Sequence, residues 1–138
     1  MLIGKTFRFE ASHVLPRHEG KCSRLHGHSW VLKVYVEGPV EPKTGFVMDF
    51  AELSRKVKLI TEALDHHHLG TWEHIEMAKD WDVYWFPDDF YPTSENLLDL
   101  IGSRLFQLGI NWSVLEIEET CTSHAILEKE EWLRGHSM

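Results

Sequence analysis

Residues 3–12 alternate between apolar and polar side chains, with Phe7, Phe9 and Ala11 on one parity and Thr6, Arg8 and Glu10 on the other. That period of two predicts a half-buried β-strand. Residues 28–37 repeat the pattern: Trp30, Leu32, Val34 and Val36 share one parity, Lys33, Tyr35 and Glu37 the other. A turn-rich stretch from Gly38 to Gly45 follows, and Phe46-Val47-Met48 then reads as a short third strand.

Asp49 and Glu52 have the spacing of a helix capping box, with Met48 and Leu53 as its staple. Phe50, Leu53, Val57, Ile60 and Leu64 recur at steps of three and four, which predicts an amphipathic helix ending near Asp65. A second helix is expected after Pro92, capped by Thr93, striped by Leu97, Leu98, Ile101, Leu105 and Leu108, and stopped by Gly109. Residues 112–120 form a fourth strand, and the Glu- and Lys-rich tail a short helix. This order argues for an α+β fold, a four-stranded antiparallel sheet with two helices packed on one face. The other face has no cover within the chain, and apolar side chains left exposed there favour self-association.

Composition narrows the function more than the fold. The 138 residues are 43% hydrophobic and 26% charged, ordinary for one globular domain spanning 1–138. Fourteen basic residues against twenty-two acidic ones give a formal charge of −8. Such a chain repels nucleic acid at long range, yet a few local cations can still hold a small anionic substrate. Neither a signal peptide nor a membrane span is visible. Two distant cysteines suggest free thiols and a cytoplasmic location.

Chemistry concentrates in Cys22-Ser-Arg-Leu-His26-Gly-His28 and in His13 at the end of the first strand. His26 and His28 are two positions apart, so an extended backbone puts both on one face. If the first two strands pair as a hairpin, His13 joins them. Three imidazoles can hold zinc with its fourth position open, the arrangement of a catalytic site, and Cys22 stays free as base or nucleophile. Three ordinary surface histidines are the plain alternative. A zinc finger fits less well, because the second cysteine of a Cys pair is missing. Glu119 shares the parity of Leu115 and Ile117, where an unpaired carboxylate is costly, unless the strand ends early and solvates it.

The blocks FEASH, GKCSRLHGH, TGFVMDF, LDHHHL, PTSEN and EETCT occur in that order between about residues 5 and 123. Together they resemble the family of 6-pyruvoyltetrahydropterin and 6-carboxytetrahydropterin synthases. The resemblance implies zinc on His13, His26 and His28, and Cys22 as catalytic base. It implies Asp65-His66 as the second proton-transfer unit, Glu119 as anchor of the pterin ring and a possible contact from Thr93. It also implies the tunnelling fold, whose sheets join into a barrel by oligomerisation, usually as a homohexamer of two trimers. The substrate implied is 7,8-dihydroneopterin triphosphate. The Cys-x-x-x-His-Gly-His spacing resembles the carboxy enzymes of the 7-deazaguanine (queuosine) pathway, which are carbon–carbon lyases. The alternatives are the pyruvoyl-forming, triphosphate-eliminating enzyme and a non-catalytic zinc- or pterin-binding protein. Lys21 and Arg24 flank Cys22 and offer charge to lower its pKa or to bind phosphate. The chain departs from the family in an aromatic-rich insertion at about 70–91, expected at a subunit boundary or over the substrate mouth.

Overall fold

The computed structural model describes residues 1–15, 20, 24–71, 75–87 and 90–136. Two long strands, β1 (Leu2–His13) and β2 (His26–Glu37), form its antiparallel centre. After α1 (Phe50–Leu64) come β3 (His67–Gly70), a single turn α2 (Ile75–Ala78) and β4 (Val83–Trp85). Then follow α3 (Ser94–Gln107), β5 (Trp112–Thr120), β6 (Ser123–Glu128) and α4 (Lys129–His136). The strands make one six-stranded sheet in the order β4-β3-β1-β2-β5-β6.

The sheet is mixed, which corrects the four-stranded antiparallel expectation. Its antiparallel block does have four strands, β1-β2-β5-β6, but β6 replaces the run at 46–48. Residues 46–48 form no strand because β1 and β5 already occupy both edges of β2. The chain instead closes a loop in which the Glu41 N–H donates to Phe46 O and the Gly45 N–H to Glu41 O. The Glu41 carboxylate accepts from the Lys43 and Thr44 N–H groups. On the far side, β3 adds to β1 and β4 to β3, both in parallel.

The pleat explains the core. Phe9 faces Trp30, Leu32 faces Ile117 and Val34 faces Leu115 across the ladders. These residues point to the helix face, where α1 contributes Leu53, Val57, Ile60 and Leu64 and α3 contributes Leu97, Leu98, Ile101 and Leu105. Asp49 caps α1 by accepting from the Ala51 N–H, and Thr93 caps α3 by accepting from the Asn96 N–H. Glu52 does not close the capping box; it pairs with Arg55 and Lys56 one turn on. Phe50, assigned to the apolar stripe, is exposed at the start of α1. Gly109, at φ 82°, ends α3 as expected, with the Ile110 N–H returning to Leu105 O.

The opposite face is more polar than the pattern implied. Lys33 reaches across it to Glu118 at 3.0 Å, beside Thr6, Arg8 and Glu10. Leu2 and Ile126 are its exposed large apolar side chains at the ends of that surface. Among the described residues, no helix is long and apolar enough to cross a membrane. Ile101 is fully buried between α3 and the sheet. Ile101→Ala should therefore cost about 2–5 kcal/mol in urea unfolding, whereas Leu59→Ala, at an exposed site, should stay within about 0.5 kcal/mol.

Candidate metal centre

His13 and His26 are register partners on β1 and β2, and Ala11 is opposite His28. All three histidines have the parity of the core residues, so their rings gather at one end of the helix face. Their ligand nitrogens lie within 4.8 Å of one another. The ring centroids of His13 and His26 are 4.4 Å apart, those of His26 and His28 4.9 Å. Trp30, fully buried, floors the cluster with its ring 5.3 Å from both His13 and His28.

Hydrogen bonds decide which nitrogen faces inward. His13 Nδ1 lies 2.7 Å from Pro92 O, and His26 Nδ1 lies 2.7 Å from Arg24 O. A carbonyl oxygen only accepts, so each Nδ1 carries the hydrogen and each Nε2 presents a lone pair. The Nε2 atoms of His13, His26 and His28 are all buried without a hydrogen-bond partner. Three converging, unpartnered ring nitrogens are costly unless a cation takes them. Burial pushes the His13 pKa down to about 4, and burial also lowers that of His28. Neutral imidazole is the ligand form, so the donor set fits a divalent ion of the transition-metal type.

Glu119 stands beside this cluster. One carboxylate oxygen is 3.4 Å from Nε2 of both His13 and His28, just beyond hydrogen-bond range. The β5–β6 register shifts between Glu118 and Thr120, which makes Glu119 the extra residue of a β-bulge. The bulge breaks the ladder where this carboxylate turns to the histidines. Thr93 and Pro92 approach from the start of α3. The Thr93 hydroxyl oxygen is the α3 cap, and the Pro92 carbonyl is the His13 acceptor, a role with no side-chain signature in the sequence.

Asp65 and His66 form a pair, with Asp65 Oδ2 2.9 Å from His66 Nδ1. The Glu10 backbone N–H donates to Asp65 Oδ1 at 2.8 Å, and the His66 N–H donates to Glu10 O at 2.6 Å. These bonds hold His66 at φ 58°, a conformation uncommon for a residue with a side chain. The Glu10 N–H, above all, keeps the Asp65 carboxyl below the usual carboxylate range; burial opposes it, and the His66 imidazole adds to the lowering.

His66 lines a cavity of about 600 Å³ that His28 of the cluster also lines, together with Glu10, Ser12, Gly27 and Ser29. His68, whose Nδ1 is 2.8 Å from Ser12 Oγ, and Trp81, packed edge-on against His68, line the same cavity. Trp81 brings the aromatic-rich segment to this cavity, while Phe86 of that segment enters the core. Cys22 and Lys21 lie outside the described residues.

Comparison with known proteins agrees with the geometry. The model of a family described as 6-pyruvoyl tetrahydropterin synthase matches residues 2–130. A 6-carboxy-5,6,7,8-tetrahydropterin synthase from Synechocystis sp. is 38% identical over 130 residues, 90% of each chain. A putative enzyme of the same name from Archaeoglobus fulgidus is 34% identical, covering 86% of this chain and 88% of its own. The structure of the Caenorhabditis elegans 6-pyruvoyl tetrahydropterin synthase superposes with a TM-score of 0.73 at 25% identity, over 93% of this chain and 94% of that one.

If the three Nε2 atoms form one site, His13→Ala should lower the affinity for a single divalent ion by at least about 100-fold. His67→Ala, whose Nδ1 bonds Asp65 O instead, should leave it unchanged. Metal titration followed by calorimetry reads both outcomes.

Proposed function

The chain belongs to the 6-pyruvoyl tetrahydropterin synthase family, and on that premise we propose that it is a zinc-dependent 6-carboxy-5,6,7,8-tetrahydropterin synthase. Its substrate is 7,8-dihydroneopterin triphosphate and its product feeds 7-deazaguanine (queuosine) biosynthesis. The observation that carries this reading is the set of three unpartnered Nε2 atoms on His13, His26 and His28 with Glu119 beside them. Two relatives above 30% identity bear the carboxy name. The spacing from Cys22 to His26-Gly-His28 supports the same choice.

The reaction consumes one water and yields 6-carboxytetrahydropterin, acetaldehyde and triphosphate, which makes the protein a carbon–carbon lyase. Zinc held by the three imidazoles would supply Lewis acidity toward the side-chain hydroxyls of the substrate. Cys22, as thiolate, takes a carbon-bound proton; Lys21 and Arg24 beside it in sequence provide the positive charge that favours this form. Asp65 orients His66 through the 2.9 Å contact, and His66 moves the second proton. Glu119 accepts from the 2-amino group and N3–H of the pterin. The Thr93 oxygen already caps α3, so its hydroxyl hydrogen is the part left for a substrate contact.

Open strand edges support an assembly. On the side away from β2, residues 2–9 of β1 have no strand partner among the described residues, and neither does the outer edge of β6. Edge-to-edge joining of the β1-β2-β5-β6 blocks gives the barrel of the tunnelling fold, and two such trimers a homohexamer. The single domain keeps its aromatic-rich insertion next to the shared cavity through Trp81. An exposed free thiol at Cys121 suits a reducing cytoplasm.

The pyruvoyl-forming reaction is the second reading, because the C. elegans structure carries that name. Product analysis of zinc-loaded protein separates them. Stoichiometric acetaldehyde with 6-carboxytetrahydropterin is expected, and triphosphate release without acetaldehyde contradicts it. Cys22→Ala should abolish turnover while zinc stays bound. In the same assay, His66→Ala should lose turnover while zinc stays bound; turnover at the parent rate would contradict its role.

A further inference from the structure

A carboxylate on the apolar side of a strand needs a partner, and Glu119 lacks the ordinary ones. Among the described residues its carboxylate accepts no hydrogen bond and meets no lysine or arginine. Lys33, the cation of the neighbouring strand, is taken by Glu118.

Glu119 Oε1 stands instead 3.4 Å from Nε2 of His13 and 3.4 Å from Nε2 of His28. Both Nε2 atoms are buried and unpartnered. The His13 ring hydrogen sits on Nδ1, where it is given to Pro92 O, so the Nε2 that faces Glu119 is a lone pair. Oxygen and nitrogen thus confront each other as two acceptors. Such a contact is repulsive in a buried site, and a cation between the two atoms relieves it.

The spacing points the same way. Two donor atoms that share one tetrahedral zinc, each at about 2.0–2.1 Å, lie about 3.3–3.4 Å apart. Glu119 Oε1 has that spacing from two of the three imidazoles at once. The backbone supports the placement. The register shift between Glu118 and Thr120 makes residue 119 a bulge, the device that re-aims a side chain out of the pleat.

We propose that Glu119 is the fourth metal ligand of the substrate-free protein, closing the centre until a pterin ring draws the carboxylate away. The ligation rests on the distances; the displacement rests on the function proposed above. Two adjacent ring N–H donors take both carboxylate oxygens, so Oε1 cannot stay on a cation while the ring docks. Recognition of the ring thereby frees a coordination position as the side-chain hydroxyls arrive.

Cobalt(II) in place of zinc gives such a centre a visible spectrum, and azide probes its open position. In cobalt-loaded protein without substrate, azide should bind the wild type at least about tenfold more weakly than Glu119→Gln. Glu119→Asp keeps the charge but is one methylene shorter, and it should admit azide as Glu119→Gln does. Equal azide affinity in wild type and Glu119→Gln would overturn the ligation. So would a Glu119→Asp protein that excludes azide as the wild type does, because charge without reach would then suffice. Unsubstituted pterin, a ring with no side-chain hydroxyls, should tighten azide binding to the wild type by about tenfold through linkage. Azide affinity that pterin leaves unchanged would overturn the displacement, and this measurement needs no variant to fold. If the wild type excludes azide through Glu119 yet turns over no dihydroneopterin triphosphate, the proposed function fails and the fourth ligand stands.

Discussion

The register of β1 against β2 is the constraint on which the site depends. His13 faces His26 across an antiparallel ladder, and the period of two brings His28 to the same side. A slip of one residue would send two of the three rings through the sheet. Register is fixed by burial: Phe7, Phe9, Trp30, Leu32 and Val34 all have to reach the helix face together. The hydrophobic core therefore sets the position of the imidazoles, and the Pro92 and Arg24 carbonyls then set the orientation of His13 and His26. The start of α3 matters to the chemistry because it supplies one of those carbonyls.

A sheet with different business on its two faces follows from the same pleat. Odd residues of β1 end in His13 of the histidine cluster, while the even ones, Glu10 and Ser12, line the cavity that His66 enters. Asp65 and His66 clasp Glu10 on the side where β3 joins one residue later, so this pair is mounted on the strand that also carries His13. Strained backbone at His66 is tolerated because both its N–H and its ring are tied down.

Long alternating runs made β1, β2 and β5 legible from the sequence, and capping residues made α1 and α3 legible almost to the residue. The histidine cluster was legible for the same reason, since parity alone places His26 and His28 together. The short strands were not. β3 is His67-His68-Leu69-Gly70 and β4 only Val83 to Trp85, too brief to show a period, and both exist because β1 has an edge to offer. β6, just before the charged tail, went unread although Ala125 and Leu127 alternate with exposed neighbours, whereas the tail itself is the expected short helix, α4. Phe46-Val47-Met48 had the composition of a strand but no free edge to join. Parity put Glu119 on the correct face, yet its approach to His13 and His28 comes with a bulge that no periodicity reveals. Ser12 with His68, and the Pro92 carbonyl, belong to contacts between distant segments and left no trace in spacing.

X-ray absorption at the zinc edge, on protein loaded with one zinc per chain, tests the centre most directly. The account predicts a first shell with three imidazole nitrogens at about 2.0–2.1 Å and no sulfur at about 2.3 Å. A shell containing sulfur, or one with fewer than three imidazoles, would contradict it.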